Sequence, residues 1–488
     1  MTSSPSRKWW TMLGIGMGVF MSTLDSSIVN VSLPTLVEEL HTSLAMIEWV
    51  ILAYLLVVTS LILTMARLGD MFGKKKFYTL GLGLFTAGSL LCGLAPGILW
   101  LIGFRALQGL GAVMMFALGA AIITEVFPPQ QRGQALGIMG GIVSVGIAIG
   151  PSLGGLLIGL VGWRSIFLVN VPVGVAAMII VARVVPPSTI GLAGQRFDLI
   201  GALLLFATLS SYALGMTLGQ HEGFAAPHTL GLLGFALLGL IGFVALESRL
   251  EQPMIDLRLF GNPLFGINLL MGFLVFIMIG GYFLLPFYLE LVKGFPTEQV
   301  GLMLVVFPAL MGLTAPISGT LSDRFGSRAI SLIGLAVIVV ACLLISTLDA
   351  GVGIPGYVLR LAPLGIGMGM FNSPNNSAIM GAAPRDRLGL ASGLTALSRS
   401  LGQTSGLPLM GALFAFYVRG AETLPPGLDI TAASSEALVA GLQATFRIAA
   451  GFILVAAILG ALALYLDQRQ REAAADAAPL AEVTLSQR

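Results

Sequence analysis

Charge is the first thing this sequence is short of. Asp, Glu, Lys and Arg make up 10% of its 488 residues, against about a quarter in an ordinary globular protein. So few charges cannot clothe a water-facing surface. With 56% hydrophobic residues, the chain reads as a polytopic membrane protein. Cysteine is nearly absent too. Cys92 and Cys342 lie in separate apolar runs, which excludes a disulfide framework or a thiolate metal site and leaves two small buried hydrophobes. No basic block exists beyond Lys74, Lys75 and Lys76, and the net charge is +2, so nucleic acid is not an expected partner. There is no nucleophile–base pair, no metal-ligand cluster and no phosphate-cradling loop. An enzyme, a metal and a cofactor are therefore not expected.

What the chain does have is apolar runs. A helical crossing needs about 20 apolar residues, and fourteen windows qualify: 10–33, 49–68, 77–96, 99–124, 134–160, 165–185, 199–219, 229–248, 264–290, 299–320, 329–348, 355–380, 390–418 and 444–466. The first follows Arg7 and Lys8 as a signal peptide would. It is too long for one, holds Asp25 and leads into further spans, so it reads as a retained helix. An even number of crossings puts both termini on one side. If that side is the cytoplasm, the inner segments hold eighteen Lys and Arg and the outer ones only Arg164, Lys293, Arg360, Arg419 and Arg447. The positive-inside rule thus predicts cytoplasmic termini, in an inner membrane.

The chain also repeats. Ala66-Arg-Leu-Gly-Asp-Met-Phe-Gly-Lys-Lys75 follows the second window, and Gly319-Thr-Leu-Ser-Asp-Arg-Phe-Gly-Ser-Arg328 follows the tenth. Two six-helix halves with two helices inserted between them produce this pattern, and internal repeats are a common way to build a transporter. The expected units are an N-terminal bundle over 1–187, two additional helices within 188–257, a C-terminal bundle over 258–468, and a disordered cytoplasmic tail over 469–488. Gly73 and Gly326 suit a tight turn that needs an unusual φ. Asp70 and Asp323 sit where a carboxylate can accept backbone N–H bonds from a helix N-terminus. The lysines suit lipid headgroups.

The fifth window carries Gly137, Gly146, Gly150, Pro151, Gly154 and Gly155. In water each interior Gly costs a helix roughly 1 kcal/mol and Pro about 3. In a membrane, small residues let helices approach closely, so this helix is expected to pack tightly and bend. Its spacing resembles the fifth-helix antiporter motif of the major facilitator superfamily. The two loops resemble that superfamily's signature, Gly-x-Leu-Ala-Asp-Arg-x-Gly-Arg-Lys, and Leu24 to Pro34 resembles the first-helix motif of its 14-helix drug/proton antiporters. Leu101 to Gly109 resembles the fourth-helix motif. The resemblance implies an all-α major facilitator fold of fourteen helices. It also implies that Asp70, Gly73, Asp323, Arg324 and Gly326 gate the cytoplasmic side. Met71 stands where the signature has Arg, which is expected to weaken the first loop's network.

A proton-driven carrier needs a titratable group in the membrane. His41, His221 and His228 all fall in expected outer loops, so the duty passes to carboxylates. Asp25 is the one acid well inside a window, where a charge is costly and rarely kept without use. Arg105 is the only deep base of the first half. At 1.5 Å per residue both reach about the same height, so they can meet. The expected mechanism is competition at Asp25 between a proton from outside and cargo from inside; a fixed Asp25–Arg105 pair with a purely structural role is the alternative. Glu290 is the second proton-coupling candidate, although an interfacial place beside Lys293 accounts for it better. Glu48 and Glu125 sit near span ends, within reach of water. Arg399 suits either an anionic cargo or an anchor at the cytoplasmic end. Asn30, Asn372, Asn375 and Asn376 are candidate cavity residues, the last three equally readable as interhelical bonds.

The function expected from all this is proton-coupled export of amphipathic, often cationic, drugs by a monomer. Its partners are protons, amphipathic small molecules or lipids, and the bilayer. The alternatives are an exporter of one lipid or metabolite on the same fold, and a membrane-embedded sensor or channel.

Overall fold

The computed structural model describes residues 5–42, 44–187, 197–250, 253–422 and 433–486. Each of the fourteen windows falls on helix, because within lipid a spanning backbone must satisfy its own hydrogen bonds. The helices are α1 Pro5–Glu39, α2 Leu44–Phe72, α3 Lys74–Gly93, α4 Ile98–Val126 and α5 Arg132–Val161. Then come α6 Asn170–Val184, entered through a single turn at Ser165–Leu168, α7 Leu199–Glu222 and α8 Pro227–Glu247. The last six are α9 Pro263–Ile279, α10 Val306–Phe325, α11 Ser327–Ile345, α12 Ile354–Ala382, α13 Leu388–Ala421 and α14 Ser435–Ser486. Twelve stretches of the described chain are long and apolar enough to cross a membrane. Helices α3, which opens on three lysines, and α13, rich in Gly and Ser, are not among them.

Helix α14 runs on past Asp467 to Ser486; the Ala, Glu, Gln and Arg of that stretch are strong helix formers. Helix α9 does not continue as plain α-helix. It tightens into a 3₁₀ turn at Gly280–Leu284 and widens into a π turn at Tyr288–Val292. At Gly280 a Cβ would lie 2.2 Å from the backbone of Gly406, so α9 and α13 touch main chain to main chain there.

The pairing of helices repeats. In the first half α1 packs on α5 and α6, α2 on α4, and α3 on α4 and α6. In the second half α9 packs on α13 and α14, α10 on α12, and α11 on α12 and α14. Adding eight to each number of the first set gives the second. Helices α7 and α8 pack on each other, and α7 leans on α2 and α13. Their entry is set by Asp198, which accepts the Gly201 N–H at 2.9 Å as an N-cap.

Two seams join the halves, α2 with α13 and α5 with α10. Both are closest at the end of the bundle that carries the two charged loops, called here the motif end. One apolar core reaches from α1–α6 into Ile379, Met380, Leu388 and Leu390 of the second half. Toward the opposite end the cores part, one around Ile28, Val50 and Phe167, the other among α9–α14.

Candidate functional site

Asp25 is fully buried on α1, and three N–H donors from two other helices converge on it. Arg105 of α4 donates Nη1 to Oδ2 at 2.6 Å. Gln108 of α4 and Asn170 of α6 donate to Oδ1 at 2.8 and 2.9 Å. The guanidinium is itself held from several sides. Nη1 also reaches Gln108 Oε1 at 2.7 Å, Nε donates to the Val50 carbonyl at 3.0 Å, and the Tyr54 ring lies 4.4 Å from Cζ. Gln108 donates further to Ser89 Oγ at 2.8 Å. This is a buried charge with its counter-charge and several hydrogen bonds in place, the condition under which such a pair persists in apolar surroundings. Because Gln108 Oε1 accepts from Arg105, its amide orientation is fixed.

Asp25 and Arg105, whose common depth allows a meeting, are thus observed in contact. Gln108 and Asn170 were not singled out. Gln108 follows Arg105 by three residues, one turn along the same face. Asn170 is a lone amide in an apolar run, which is the available signal for it. Glu290 is not brought to this group. It lies exposed on the π turn of α9, next to Leu291 and three residues from Lys293, which donates to the Ala350 carbonyl at 2.6 Å.

The two loop aspartates cap helices of the opposite half. Asp70 accepts the N–H groups of Gly389 and Leu390, at the start of α13, at 2.9 and 2.8 Å. Asp323 accepts those of Gly133 and Gln134, at the start of α5, at 2.9 Å each. Both use the orphan donors and positive end of a helix N-terminus. Gly73 and Gly326 turn with φ of 103° and 91°, as a two-helix corner requires.

Behind Asp70 lies more. Lys74 is fully buried and contacts Asp70 and Glu125, each at 2.8 Å. Three expectations are corrected here. Lys74 does not face headgroups, Glu125 does not simply reach for water, and the loop with Met71 is the better connected of the two. Arg324, which matches the signature, is exposed.

The glycines of α5 divide between two partners. A Cβ on Gly137 would stand 2.4 Å from the Ala315 carbonyl of α10, and one on Gly133 2.5 Å from that of Gly319. Farther along, Gly146, Gly150 and Gly154 face Thr23, Ser27 and Ile28 of α1. Gly155 has nothing within 4 Å, so it does not share the close packing expected of the motif. The side chains of Pro151 and Asn30 lie outside the described residues. Asn375 is buried and donates to the Asn268 carbonyl of α9 at 3.2 Å, an interhelical bond rather than a cavity group. Asn372 and Asn376 both accept from Arg399.

A model of the Major Facilitator Superfamily matches residues 15–407. The riboflavin transporter RibZ of Clostridioides difficile is 35% identical over 411 residues, 84% of this chain and 89% of that one. The multidrug resistance protein Stp of Mycobacterium tuberculosis is 34% identical over 424 residues, 86% of this chain and 78% of that one. Among solved structures, the human organic anion transporter MFSD10 aligns with a TM-score of 0.64 at 15% identity, covering 94% of this chain and 100% of that one. That last likeness concerns the fold alone.

Proposed function

The chain belongs to the Major Facilitator Superfamily, and from that premise we propose a proton-coupled antiporter that exports amphipathic drugs or related lipophilic compounds by alternating access. The observation that carries this reading is Asp25, a buried carboxylate held by Arg105, Gln108 and Asn170. In this reading all fourteen helices cross the inner membrane, the chain works as a monomer, and both termini are cytoplasmic. The motif end is then the cytoplasmic end, shut by Asp70 and Asp323. A proton from outside neutralises Asp25 and removes the charge that holds Arg105. Asn170 turns its oxygen toward the new O–H, while Gln108 stays on the guanidinium. Cargo arriving from the inner side displaces the proton, and the caps at α5 and α13 must part to admit it.

The test uses purified protein in liposomes with an inside-acidic gradient, following proton release when ethidium is added. Release by the parent and none by Asp25→Asn is the expected result. Unchanged release by Asp25→Asn would reduce the pair to a structural one. A parent that releases no proton for any lipophilic cation would sink the multidrug reading. One observation favours a second reading, an exporter of a single metabolite: the relative that is 35% identical is named a riboflavin transporter. Release with riboflavin alone, against a flat panel of cations, would favour it.

A further inference from the structure

With α13 taken as a crossing helix, as proposed above, Arg399 is a membrane-embedded cation that the described residues do not neutralise. It stands eleven residues into α13, about 16 Å from the motif end at 1.5 Å per residue, too deep to anchor that end. Its Nη2 donates to Asn372 Oδ1 at 2.7 Å and to Asn376 Oδ1, and Cζ lies 5.5 Å from the Phe276 ring centroid. Both acceptors are neutral amides. Among the described residues no carboxylate pairs with it, and its Nε and Nη1 hydrogens meet no acceptor. The side chain is half-buried, and neither of those nitrogens is among the sealed polar atoms. They therefore open onto free space.

That space adjoins the seam between the halves. The next residue on α13, Ser400, shares a 2.7 Å hydrogen bond with Thr59 of α2. The residue after Asn372, Ser373, donates to the Gly133 carbonyl of α5 at 3.0 Å. Both helices thus set this group one position from the surface along which the halves separate. Arg105 marks the contrast, since a carboxylate, an amide, a carbonyl and a ring answer it. A cation left open in the membrane is costly and marks a pathway for what crosses. A guanidinium with N–H groups to spare matches carboxylate or phosphate oxygens in distance and plane.

We propose that Arg399 binds an acidic group of the cargo, a carboxylate or a phosphate, through its unused N–H groups. Asn372 and Asn376 hold the guanidinium, and Phe276 offers apolar surface to the rest of the molecule. This rests on the proposed export of amphipathic compounds and adds those bearing an acid to the lipophilic cations.

Binding is measured without any gradient, so a failure of proton coupling leaves this test untouched. The probes are pyrenebutyrate, neutral pyrenebutanol and a pyrenylbutyl trimethylammonium, followed by fluorescence anisotropy on the full chain in phosphatidylcholine nanodiscs. The parent should bind pyrenebutyrate at least tenfold tighter than the other two. Arg399→Gln should erase that preference with pyrenebutanol binding unchanged, and Arg399→Lys should restore part of it. If Arg399→Gln does not fold, loss of pyrenebutanol binding reveals it, and the parent's ranking of the three probes decides. Replacing a third of the lipid with phosphatidylglycerol separates the sources. A preference abolished there assigns the acid to a lipid headgroup, and one retained assigns it to a soluble molecule. Equal affinities for the three probes, or an unchanged preference in Arg399→Gln, would overturn the proposal.

Discussion

Asp70 and Asp323 do one job in two settings. Each reaches across the bundle and takes two backbone N–H groups from the first turn of a helix in the other half. The repeat is good enough that the caps use matching positions, Gly133 with Gln134 and Gly389 with Leu390. What differs is the charge behind the carboxylate. The first loop has Lys74 and, at the end of α4, Glu125. The second has Ser327 and Gly381 at the matching places. Both partners of the ion pair are missing together, as expected if neither is tolerated alone in a buried site. One seam therefore closes on a three-charge chain, buried at Asp70 and Lys74 and reaching the surface at Glu125, and the other on backbone N–H groups alone. The second is the lighter latch, and its aspartate is only half-buried.

The largest break in this comparison should come from Asp70→Ala. It leaves Lys74 buried against Glu125 alone and strands two N–H groups, a loss of about 3–5 kcal/mol by the usual cost of halving a buried ionic group. Asp323→Ala removes a cap and no counter-charge, so about 0.5–2 kcal/mol is expected. Thermal unfolding of both variants in the same detergent measures the gap. Equal losses would mean that Lys74 and Glu125 add nothing to the first latch.

The sequence made the helices plain because the bilayer demands apolar runs of fixed length, and Asp25 and Arg105 plain because charge stands out in such runs. The loop aspartates were legible from their recurrence. The partners were harder. Asn170 lies 145 residues from Asp25, and nothing local says that α6 faces α1. Lys74 reads from sequence as a headgroup lysine, since a charge at a helix end is ordinarily solvated. Only the fold shows that Glu125 arrives from α4 to bury it. Arg324 misleads in the other direction, matching a signature and pointing outward. Asn375 was ambiguous because an amide in an apolar helix serves a cavity or a neighbouring backbone equally well.

A double substitution sharpens the comparison by turning the first latch into a copy of the second. Lys74→Ser alone strands Glu125 beside Asp70, and Glu125→Gly alone strips Lys74 of one partner. Made together they remove the pair as the second half lacks it. The double variant should be more stable than the sum of the single losses by about 0.5–3 kcal/mol, the usual coupling between contacting charges. Additive losses in the thermal-unfolding cycle would show that the two residues stabilise their helices separately.

The smallest expected effects concern the glycines that line the other seam. Gly137→Ala drives a methyl to within 2.4 Å of the Ala315 carbonyl. A main-chain oxygen cannot turn away as a side chain can, so α5 and α10 must separate at a cost of about 1–3 kcal/mol, as overpacking usually does. Because that contact exists where the motif end is shut, the variant should also expose it. A cysteine placed at Ser373, buried against the Gly133 carbonyl of α5, reports this by its rate of thiol labelling, the native Cys92 and Cys342 being buried. Gly155→Ala, with open space around it, should change labelling not at all and gain up to about 1 kcal/mol from the better helix former. Opposite signs from two glycines of one motif would tie the motif's work to its α10 face. Equal signs would return it to a general need for a thin helix.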